Sequence, residues 1–404
     1  MNKEFTSTST LLLFCTFCAI FFVSLSISAV PLIVEGVRKS ADMYHFLMYV
    51  DSVLEKETLG EMLLAVYTQP WARLYSTWLF LLSGTVYVAG EDWPIAIAIL
   101  NIVFHALTIT LASVFVFIVT RKVTLTILNS IFLTFSIDVL IRVNWVISDS
   151  LFFLTATAAF IMIGIVLFRP KSLCLVILAA LTVLVAGLTR PHGVAILVIG
   201  ITAILMRDRL SKISSKASIT MVAVFVLGLL LSFVVVAFVF GPNYEPVTTE
   251  DEMLQTHLLK GIVIEGVYSS YHTGTDEYFV RLFTIFDRFV TFFSFFPQHW
   301  GMKHILLSSW FFLPWYVAFI GCWAIVYSRD VDSRIRCLIL FSTIWILAVA
   351  AYAGWTHVSY EHRYRFPLMP VFAFQIILGV YLCIPLDKLL VKSKKWAIRT
   401  IVNN

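Results

Sequence analysis

Four short polar stretches interrupt an otherwise apolar chain, and each carries side chains that can do chemistry. They are "SADMYHFLMYV" at 40–50, "RVNWVISDSLFF" at 142–153, "LTRPHG" at 188–193 and "YEHRYRFPLMP" at 360–370. The first two supply the carboxylates Asp42 and Asp149, and the last two supply guanidinium groups and imidazoles. A carboxylate can act as a general base toward an attacking hydroxyl or amine, and arginine binds phosphate through paired N–H donors. This combination indicates chemistry on a phosphorylated substrate.

Asp42 stands just beyond the first apolar run and just before a segment that is typical of an interfacial helix. One interpretation is a carboxylate in the first turn of a helix, where the helix dipole stabilises it. The other is a general base that faces a cavity between interfacial helices and the membrane bundle. Tyr44, two residues on, is then a candidate substrate-binding residue.

Asp149 opens the apolar run that follows "RVNWVIS". It is either hydrated and capping the helix start, or a functional carboxylate at the mouth of the site. Asp138 lies deeper, and Arg142 follows it at i+4, so we expect these two to form a structural pair along one helix face.

"LTRPHG" breaks a run that would otherwise be continuous helix. Pro191 and Gly193 interrupt helical geometry, and Arg190 at that depth needs a partner or water. Non-helical backbone at membrane depth is tolerated only inside protein or beside a hydrated cavity. The alternatives are a short exposed turn and a phosphate site with Arg190 and His192 as donors.

The stretch at 360–370 is the densest polar cluster of the chain. Its candidates for binding an anionic ligand, a lipid phosphate or pyrophosphate, are Glu361, His362, Arg363, Tyr364 and Arg365. Interfacial snorkelling is the structural alternative. In "QPWARLY" at 69–75, Arg73 and Tyr75 either face the same cavity or anchor in the aromatic belt of the membrane interface.

The elements that position these residues are membrane helices. Of the 404 residues, 60% are hydrophobic and 13% charged, against about 45–50% and about 25% in soluble domains. Apolar runs of roughly 17–25 residues recur, the length that spans a bilayer as helix. We expect an all-α polytopic bundle of about ten membrane helices, within a range of 9–12, forming a single domain over 1–404. The predicted spans are 10–34, 94–120, 124–142, 147–168, 172–189, 193–206, 217–240, 306–328, 335–353 and 366–385, with 63–90 left ambiguous.

The distribution of charge predicts orientation. One set of loops and both termini hold 17 of the 29 Lys and Arg residues with only five carboxylates, which makes that face cytoplasmic. The net charge of +5 is therefore a topology signal, and no nucleic-acid partner is expected. Eight of the nine histidines fall on the opposite, outer side; only His105 lies inside a span. The six cysteines fall in or beside apolar runs and are interpreted as small core residues.

Two outer loops, 35–93 and 241–305, are expected to contain helices that lie in the membrane interface. In the first, the predicted apolar face is Tyr44, Leu47, Val50 and Leu54. In the second, apolar residues recur at three and four: Phe279, Leu282, Phe286, Phe289, Phe293 and Phe296.

The order of these motifs resembles a known family. An acid in the first outer loop, "QPWARLY", "SDS" opening a span, "TRPHG" and "RYRFPLMP" are similar to the GT-C glycosyltransferases that use polyprenyl-phosphate sugars, such as bacterial lipid A aminoarabinose transferases and protein O-mannosyltransferases. The resemblance covers most of the chain, and "RYRFPLMP" is its most specific motif.

This resemblance implies a helix bundle, a catalytic Asp42, a second acidic position at Asp149, and donor phosphate held by Arg190 and Arg363, with Arg365 alongside. The expected partners are a polyprenyl-phosphate sugar donor, a glycan or lipid acceptor, and membrane lipids. The implied location is a bacterial inner membrane with the site on the periplasmic or extracellular face.

The family often has paired acids in the first loop, whereas Asp42 is followed here by Met43. The ligand spacing does not support a divalent metal site, no other cofactor is indicated, and metal dependence stays open. Two other functions remain open. One is a polysaccharide polymerase or O-antigen ligase, which would depend on Arg281, Arg288 and His299. The other is a lipid-linked sugar flippase or transporter, against which stand the scarcity of mid-membrane charge and the lack of an evident inverted repeat.

Overall fold

The computed structural model of the chain describes residues 7–239, 282, 286, 289–294, 302–329, 331–356 and 365–383. Over these residues the protein is a bundle of helices with a single two-residue pairing of strands. Seven helical segments of the described chain are long and apolar enough to cross a membrane, and three shorter apolar helices accompany them. The all-α fold class predicted from the sequence is confirmed.

Eight helices lie within residues 7–140, and four of them, α2 to α5, belong to the loop predicted at 35–93. They are α1 (Ser7–Glu35), α2 (Ala41–Leu54), α3 (Leu59–Tyr67), α4 (Pro70–Leu74), α5 (Ser76–Ala89), α6 (Trp93–Thr120), α7 (Val123–Thr134) and α8 (Ile137–Leu140). The remaining described helices are α9 (Asp149–Phe168), α10 (Leu173–Gly187), α11 (Gly193–Leu205), α12 (Arg207–Leu210), α13 (Ser215–Val239), α14 (Met302–Ser328), α15 (Ser333–Thr356) and α16 (Met369–Cys383).

Three of these helices form the centre of the bundle. The apolar windows of α9, α15 and the segment that contains α16 are 72%, 78% and 78% buried, whereas those of α1 and α13 are 17% and 11% buried. Large aromatic side chains fill this centre, including Phe160, Phe341 and Trp345, whose rings contact one another. Because α1 and α13 are apolar on all sides and yet exposed, their outer faces are suited to lipid.

The ambiguous stretch 63–90 is resolved into consecutive short helices, not one crossing. Thr58 and Glu61 form a capping box at the start of α3, and Pro70 begins α4. Helix α5 has 14 residues and is therefore about 21 Å long, less than the roughly 30 Å of a bilayer core. These helices form a layer at one end of the bundle.

Two local predictions are corrected. The expected span 124–142 ends as a regular helix at Thr134, and a short helix and a turn follow it. The face that α2 buries is formed by Met43, Phe46, Val50 and Val53, while Tyr44 is 64% exposed. Helix α2 is thus rotated by about one residue from the predicted face, because α5 offers Trp78, Leu79 and Leu82 as the surface against which α2 packs.

A pairing of β1 (Arg38–Lys39) with β2 (Trp145–Val146) ties the first loop to the start of α9. The Ser40 hydroxyl donates to the carbonyl of Val146 at 3.2 Å. The buried Asn144 amide donates to the carbonyls of Pro31 and Gly36 at 3.3 and 3.0 Å, at the end of α1. These bonds bring the end of α1, the start of α2 and the start of α9 to the same end of the bundle.

A buried glutamine joins the last three helices at membrane depth. Gln375 donates to Ser342 and Thr343 at 2.9 and 3.3 Å and accepts from the indole of Trp315 at 2.7 Å. Its side-chain oxygen and nitrogen are therefore both bonded, which is the condition for burying an amide without a large penalty. We infer that this network fixes the alignment of α14, α15 and α16 relative to one another.

Candidate functional site

The centre of the site is an ion pair between Asp149 and Arg190. Their side chains are 1% and 7% exposed. Asp149 is the first residue of α9, and Arg190 lies in the five-residue break between α10 and α11. The two predicted site residues are therefore brought into contact by helices that pack side by side, and the break in "LTRPHG" serves to turn Arg190 inward.

The break between α10 and α11 requires glycine at position 193 for a steric reason. A Cβ placed on Gly193 would collide with the carbonyl oxygen of Ala186 and the backbone of Gly187. The last turn of α10 and the first turn of α11 are therefore in direct backbone contact at Gly193. This contact closes the turn that carries Arg190. The sequence analysis noted this glycine only as a helix breaker.

His192 and a tyrosine from α15 extend the site. The His192 ring is 3% exposed and lies edge-on to Tyr352, with ring centroids 5.4 Å apart. The Tyr352 phenol is within electrostatic range of Tyr75. The structure thus brings together Asp149, Arg190, His192 and Tyr75 of the predicted residues and adds Tyr352. Sequence analysis missed Tyr352 because "AAYAG" has no polar neighbour that would distinguish it from core.

Helix α5 covers this turn from the first loop. The Thr77 amide donates to the carbonyl of Leu188 at 3.0 Å, and its hydroxyl donates to Val185 at 3.4 Å. Tyr75 packs edge-on against Phe46 of α2 at 5.1 Å. Helix α5 is therefore bonded to the turn that carries Arg190.

Asp42 is the second residue of α2, two positions beyond the Ser40 hydroxyl that bonds to β2. Its backbone is thereby held at the same end of the bundle as Asp149, and its side chain lies outside the described part. Tyr44 and Arg73 are both exposed, on α2 and α4, and the described contacts do not bring them to the Asp149–Arg190 pair. Their binding roles stay predictions.

A second buried ion pair joins Arg365 to Asp138. The Arg365 guanidinium lies 3.1 Å from the Asp138 carboxylate, and the two side chains are 0% and 2% exposed. Arg365 also donates to the carbonyl of Ser294 and lies 4.2 Å from the ring centroid of Phe312. These contacts neutralise its charge within the protein and hold the turn before α16. The predicted role of Arg365 in binding donor phosphate stays a prediction.

Arg142 was expected to pair with Asp138 along one helix. Its guanidinium lies over the ring of Trp145, 5.2 Å from the centroid. Arg365, which pairs with Asp138 from 227 residues away in the chain, could not be predicted from helical spacing.

An aromatic layer separates the two ion pairs. Phe366, next to Arg365, stacks on Phe153 of α9 with ring centroids 4.5 Å apart. The buried His105 ring contacts both, and its Nε2 lies 3.2 Å from the Ser150 hydroxyl. Ser150 follows Asp149, so His105 supports the start of α9 from α6. In the sequence, a histidine inside an apolar span was the feature that could have indicated this supporting role of His105.

Four predicted site residues lie outside the described part of the chain: Glu361, His362, Arg363 and Tyr364. Their roles, and the expected meeting of Arg363 with Asp42, stay predictions. Among the described residues, no group of three or more His, Cys, Asp or Glu side chains could hold a metal ion.

Two apolar grooves lie among the described helices. One of about 350 Å³ lies between α1 and α7 and ends at Thr134 and Phe135, a few residues before Asp138. The other, about 190 Å³, lies among α11, α13 and α15. Their walls are suited to alkyl or prenyl chains.

Comparisons with models of protein families, with curated proteins and with solved structures found no match to this chain. The fold and site define a helical protein of membrane-like character with a buried carboxylate–guanidinium pair at one end of its bundle.

Proposed function

We propose that the protein is an integral-membrane glycosyltransferase that moves a sugar from a polyprenyl-phosphate carrier to a glycan or lipid acceptor on the outer face of the membrane. The observation that supports this most is the buried Asp149–Arg190 pair, whose residues lie at the start of α9 and in the turn to which α5 is bonded. A buried arginine that is already charged and oriented is suited to binding a phosphate that arrives on a hydrophobic carrier.

Arg190 would bind the phosphate of the donor. A buried guanidinium without a partner costs several kcal/mol, so Asp149 keeps it charged and oriented in the empty site. As the bond between the anomeric carbon and the phosphate oxygen breaks, negative charge develops on that phosphate. Preorganised N–H donors of Arg190 stabilise this charge.

Asp42 would act on the acceptor. It takes the proton of the acceptor hydroxyl or amine while that atom forms a bond to the anomeric carbon. The bond to phosphate breaks on the opposite side, polyprenyl phosphate leaves, and the configuration inverts. Asp149 orients the acceptor, and His192 and Tyr352 form the wall beside Arg190.

The carrier tail would lie in an apolar groove among the helices, so that its burial contributes affinity remote from the reacting bond. The apolar lining of the groove between α1 and α7 supports this. The charge asymmetry supports an outer-facing site in a bacterial inner membrane, with both termini cytoplasmic.

The direct test uses protein in nanodiscs with undecaprenyl phosphate as the probe, followed by native mass spectrometry. Wild type should bind it, Arg190→Gln should bind it at least tenfold more weakly, and Arg169→Gln, an exposed arginine on the loop before α10, should bind as wild type. Equal binding by the Arg190 variant would contradict the proposal.

Mass spectrometry of envelope glycans from a host lacking the gene should show the loss of one sugar substituent. A flippase predicts instead that labelled lipid-linked sugar crosses reconstituted vesicles without transfer. A polymerase or ligase predicts that removing Arg281, Arg288 and His299, all outside the described residues, harms activity more than Asp42→Asn.

A further inference from the structure

The groove of about 190 Å³ among α11, α13 and α15 lies toward one end of these helices. Its lining runs from Val198 to Met206 along α11 and from Cys337 to Ile344 along α15. These stretches are the second half of α11 and part of the first half of α15, so the groove lies where α11 ends and α15 begins. From Val198 to Met206 the lining extends about 12 Å along the helix axis, a length suited to part of an alkyl chain.

The groove accepts an apolar chain but does not by itself select one. The Thr202 hydroxyl, which lines it, already donates to the carbonyl of Val198 at 2.8 Å within α11. In a membrane, a lipid tail gains little by leaving other tails for an apolar wall, so close packing is the main attraction. Selection among lipids therefore has to come from polar groups at the end of the groove.

Two exposed arginines stand at this end. Leu210 lines the groove, and Arg209 directly precedes it. Arg334 precedes the lining residue Cys337 by three positions, so it lies on the same face of α15, one turn nearer the start of the helix. Neither Arg209 nor Arg334 forms an ion pair with a described residue.

The loops that carry these arginines are held together by two other arginines. Arg336 donates to the carbonyl of Ile213 at 2.9 Å, which ties the start of α15 to the loop after α12. Arg207 donates to the carbonyl of Pro170 at 2.9 Å, which ties α12 to the loop before α10. Because Arg207 and Arg336 are bonded within the protein, they are not counted as charge available to a ligand.

The three loops at this end, 169–172, 206–216 and 329–334, carry excess positive charge. Their exposed basic residues are Arg169, Lys171, Arg209, Lys212, Lys216, Arg329 and Arg334. Their described carboxylates are Asp208 and Asp332. Seven positive charges against two negative charges leave +5, and Asp330, which lies outside the described residues, reduces this to +4.

We propose that this end of the bundle binds an anionic phospholipid, with an acyl chain in the groove and the headgroup phosphate near Arg209 and Arg334. The basic loops attract the headgroup across a Debye length of about 8–10 Å, so the attraction does not require both guanidinium groups on one phosphate. The sequence analysis predicts that this end is cytoplasmic, where membrane surfaces are anionic. The site does not depend on the protein being a glycosyltransferase.

The experiment reconstitutes the protein with equal amounts of phosphatidylglycerol and phosphatidylcholine. The protein is then extracted into detergent, and the lipids that stay bound are measured by native mass spectrometry. Wild type should retain phosphatidylglycerol in preference, and Arg209→Gln with Arg334→Gln should lower that preference by about thirtyfold. This fold-change corresponds to about 1 kcal/mol for each of two basic residues near a membrane surface.

A second variant tests the groove. Thr202→Trp places an indole in it and should cause loss of the retained phosphatidylglycerol. Its matched control is Ile201→Trp, because Ile201 is an exposed neighbour on α11 that does not line the groove. Ile201→Trp should retain the lipid as wild type does.

Two controls separate local charge from folding and from total charge. Arg209→Lys with Arg334→Lys keeps both charges and should preserve the preference, even if the glutamine variant does not fold. Lys39→Gln with Arg121→Gln removes two exposed charges outside the three loops, and should also preserve it.

Several results would overturn the proposal. Wild type without a preference for phosphatidylglycerol, or the glutamine double variant with an unchanged preference, would remove the role of the charge. Loss of preference in the lysine variant, or equal loss in the Lys39 and Arg121 control, would show that the effect is structural or general. Unchanged retention by Thr202→Trp would exclude the groove. Displacement of the lipid by millimolar inorganic phosphate would assign the site to a free anion.

Discussion

The guanidinium of Arg190 is paired with the carboxylate of Asp149, and both side chains are almost completely buried. Burying two charges costs several kcal/mol per ion before their attraction is counted, so such a pair is weak support for stability by itself. The proposed function gives the pair a role, because it keeps Arg190 charged and oriented for a ligand. The predictions below separate that role from a purely structural one.

Breaking the Asp149–Arg190 pair on one side should destabilise the protein. Arg190→Gln or Asp149→Asn should each cost about 3–5 kcal/mol, because the remaining charge is left buried and unpaired. The double variant should recover a large part of this loss. Thermal unfolding of wild type, the single variants and the double variant, all in the same detergent, measures these changes in stability.

The same variants distinguish ligand binding from folding. The double variant should still fail to bind undecaprenyl phosphate, because the guanidinium is absent whether or not the fold is restored. Recovery of both stability and binding in the double variant would mean that the pair is structural.

Asp42→Asn should lower sugar transfer by about 10²–10⁴-fold, the usual contribution of a general base, with little change in the unfolding temperature. Asp51→Asn is the matched control, since Asp51 is an exposed carboxylate on the same helix α2. Transfer rates are measured with lipid-linked sugar from the host membrane. Full activity of Asp42→Asn would exclude the proposed role.

Gly193→Ala should disrupt the turn that holds Arg190. The new methyl group would meet backbone atoms of Ala186 and Gly187, which cannot move away as a side chain can, and overpacking of this kind costs about 1–3 kcal/mol. Binding of undecaprenyl phosphate should weaken in parallel.

Gly228→Ala provides its control, because a Cβ at Gly228 on α13 would meet no atom within 4 Å. This change should alter stability by no more than about 1 kcal/mol. Equal effects of the two substitutions on the unfolding temperature would contradict the steric argument.

Arg365→Gln should destabilise the protein by about 3–5 kcal/mol, because the buried Asp138 carboxylate loses this counter-ion. Protein that remains folded should bind undecaprenyl phosphate with unchanged affinity. A tenfold loss of affinity in folded protein would instead restore Arg365 to the donor site that the sequence analysis predicted.

Much of the helical architecture follows from local sequence. Helix α9 begins at Asp149 and ends at Phe168, close to the predicted span 147–168, because an uninterrupted apolar run in lipid has to satisfy its own backbone hydrogen bonds. The break at "LTRPHG" was likewise predictable, since Pro191 and Gly193 oppose helix continuation. Asp149 and Arg190 were identified as candidates because charge is scarce in such runs.

The partners of these charges were not predictable in the same way. Helical spacing predicts Arg142 as the partner of Asp138, but α8 ends at Leu140 and Arg142 lies in the turn that follows. The structure pairs Asp138 with Arg365, far away in the chain. The burial of Met43 in place of Tyr44 depended on the shape of α5, which the periodicity of α2 does not contain.

The amino-acid sequence by itself therefore determined that this chain is a bundle of apolar helices, and where polar residues interrupt them, because hydrophobicity and helix breaking act over a few residues. Only the tertiary structure decided which of the interrupting charges meet. That choice depends on how helices far apart in the chain pack, since a buried charge is stable only where packing supplies its counter-ion.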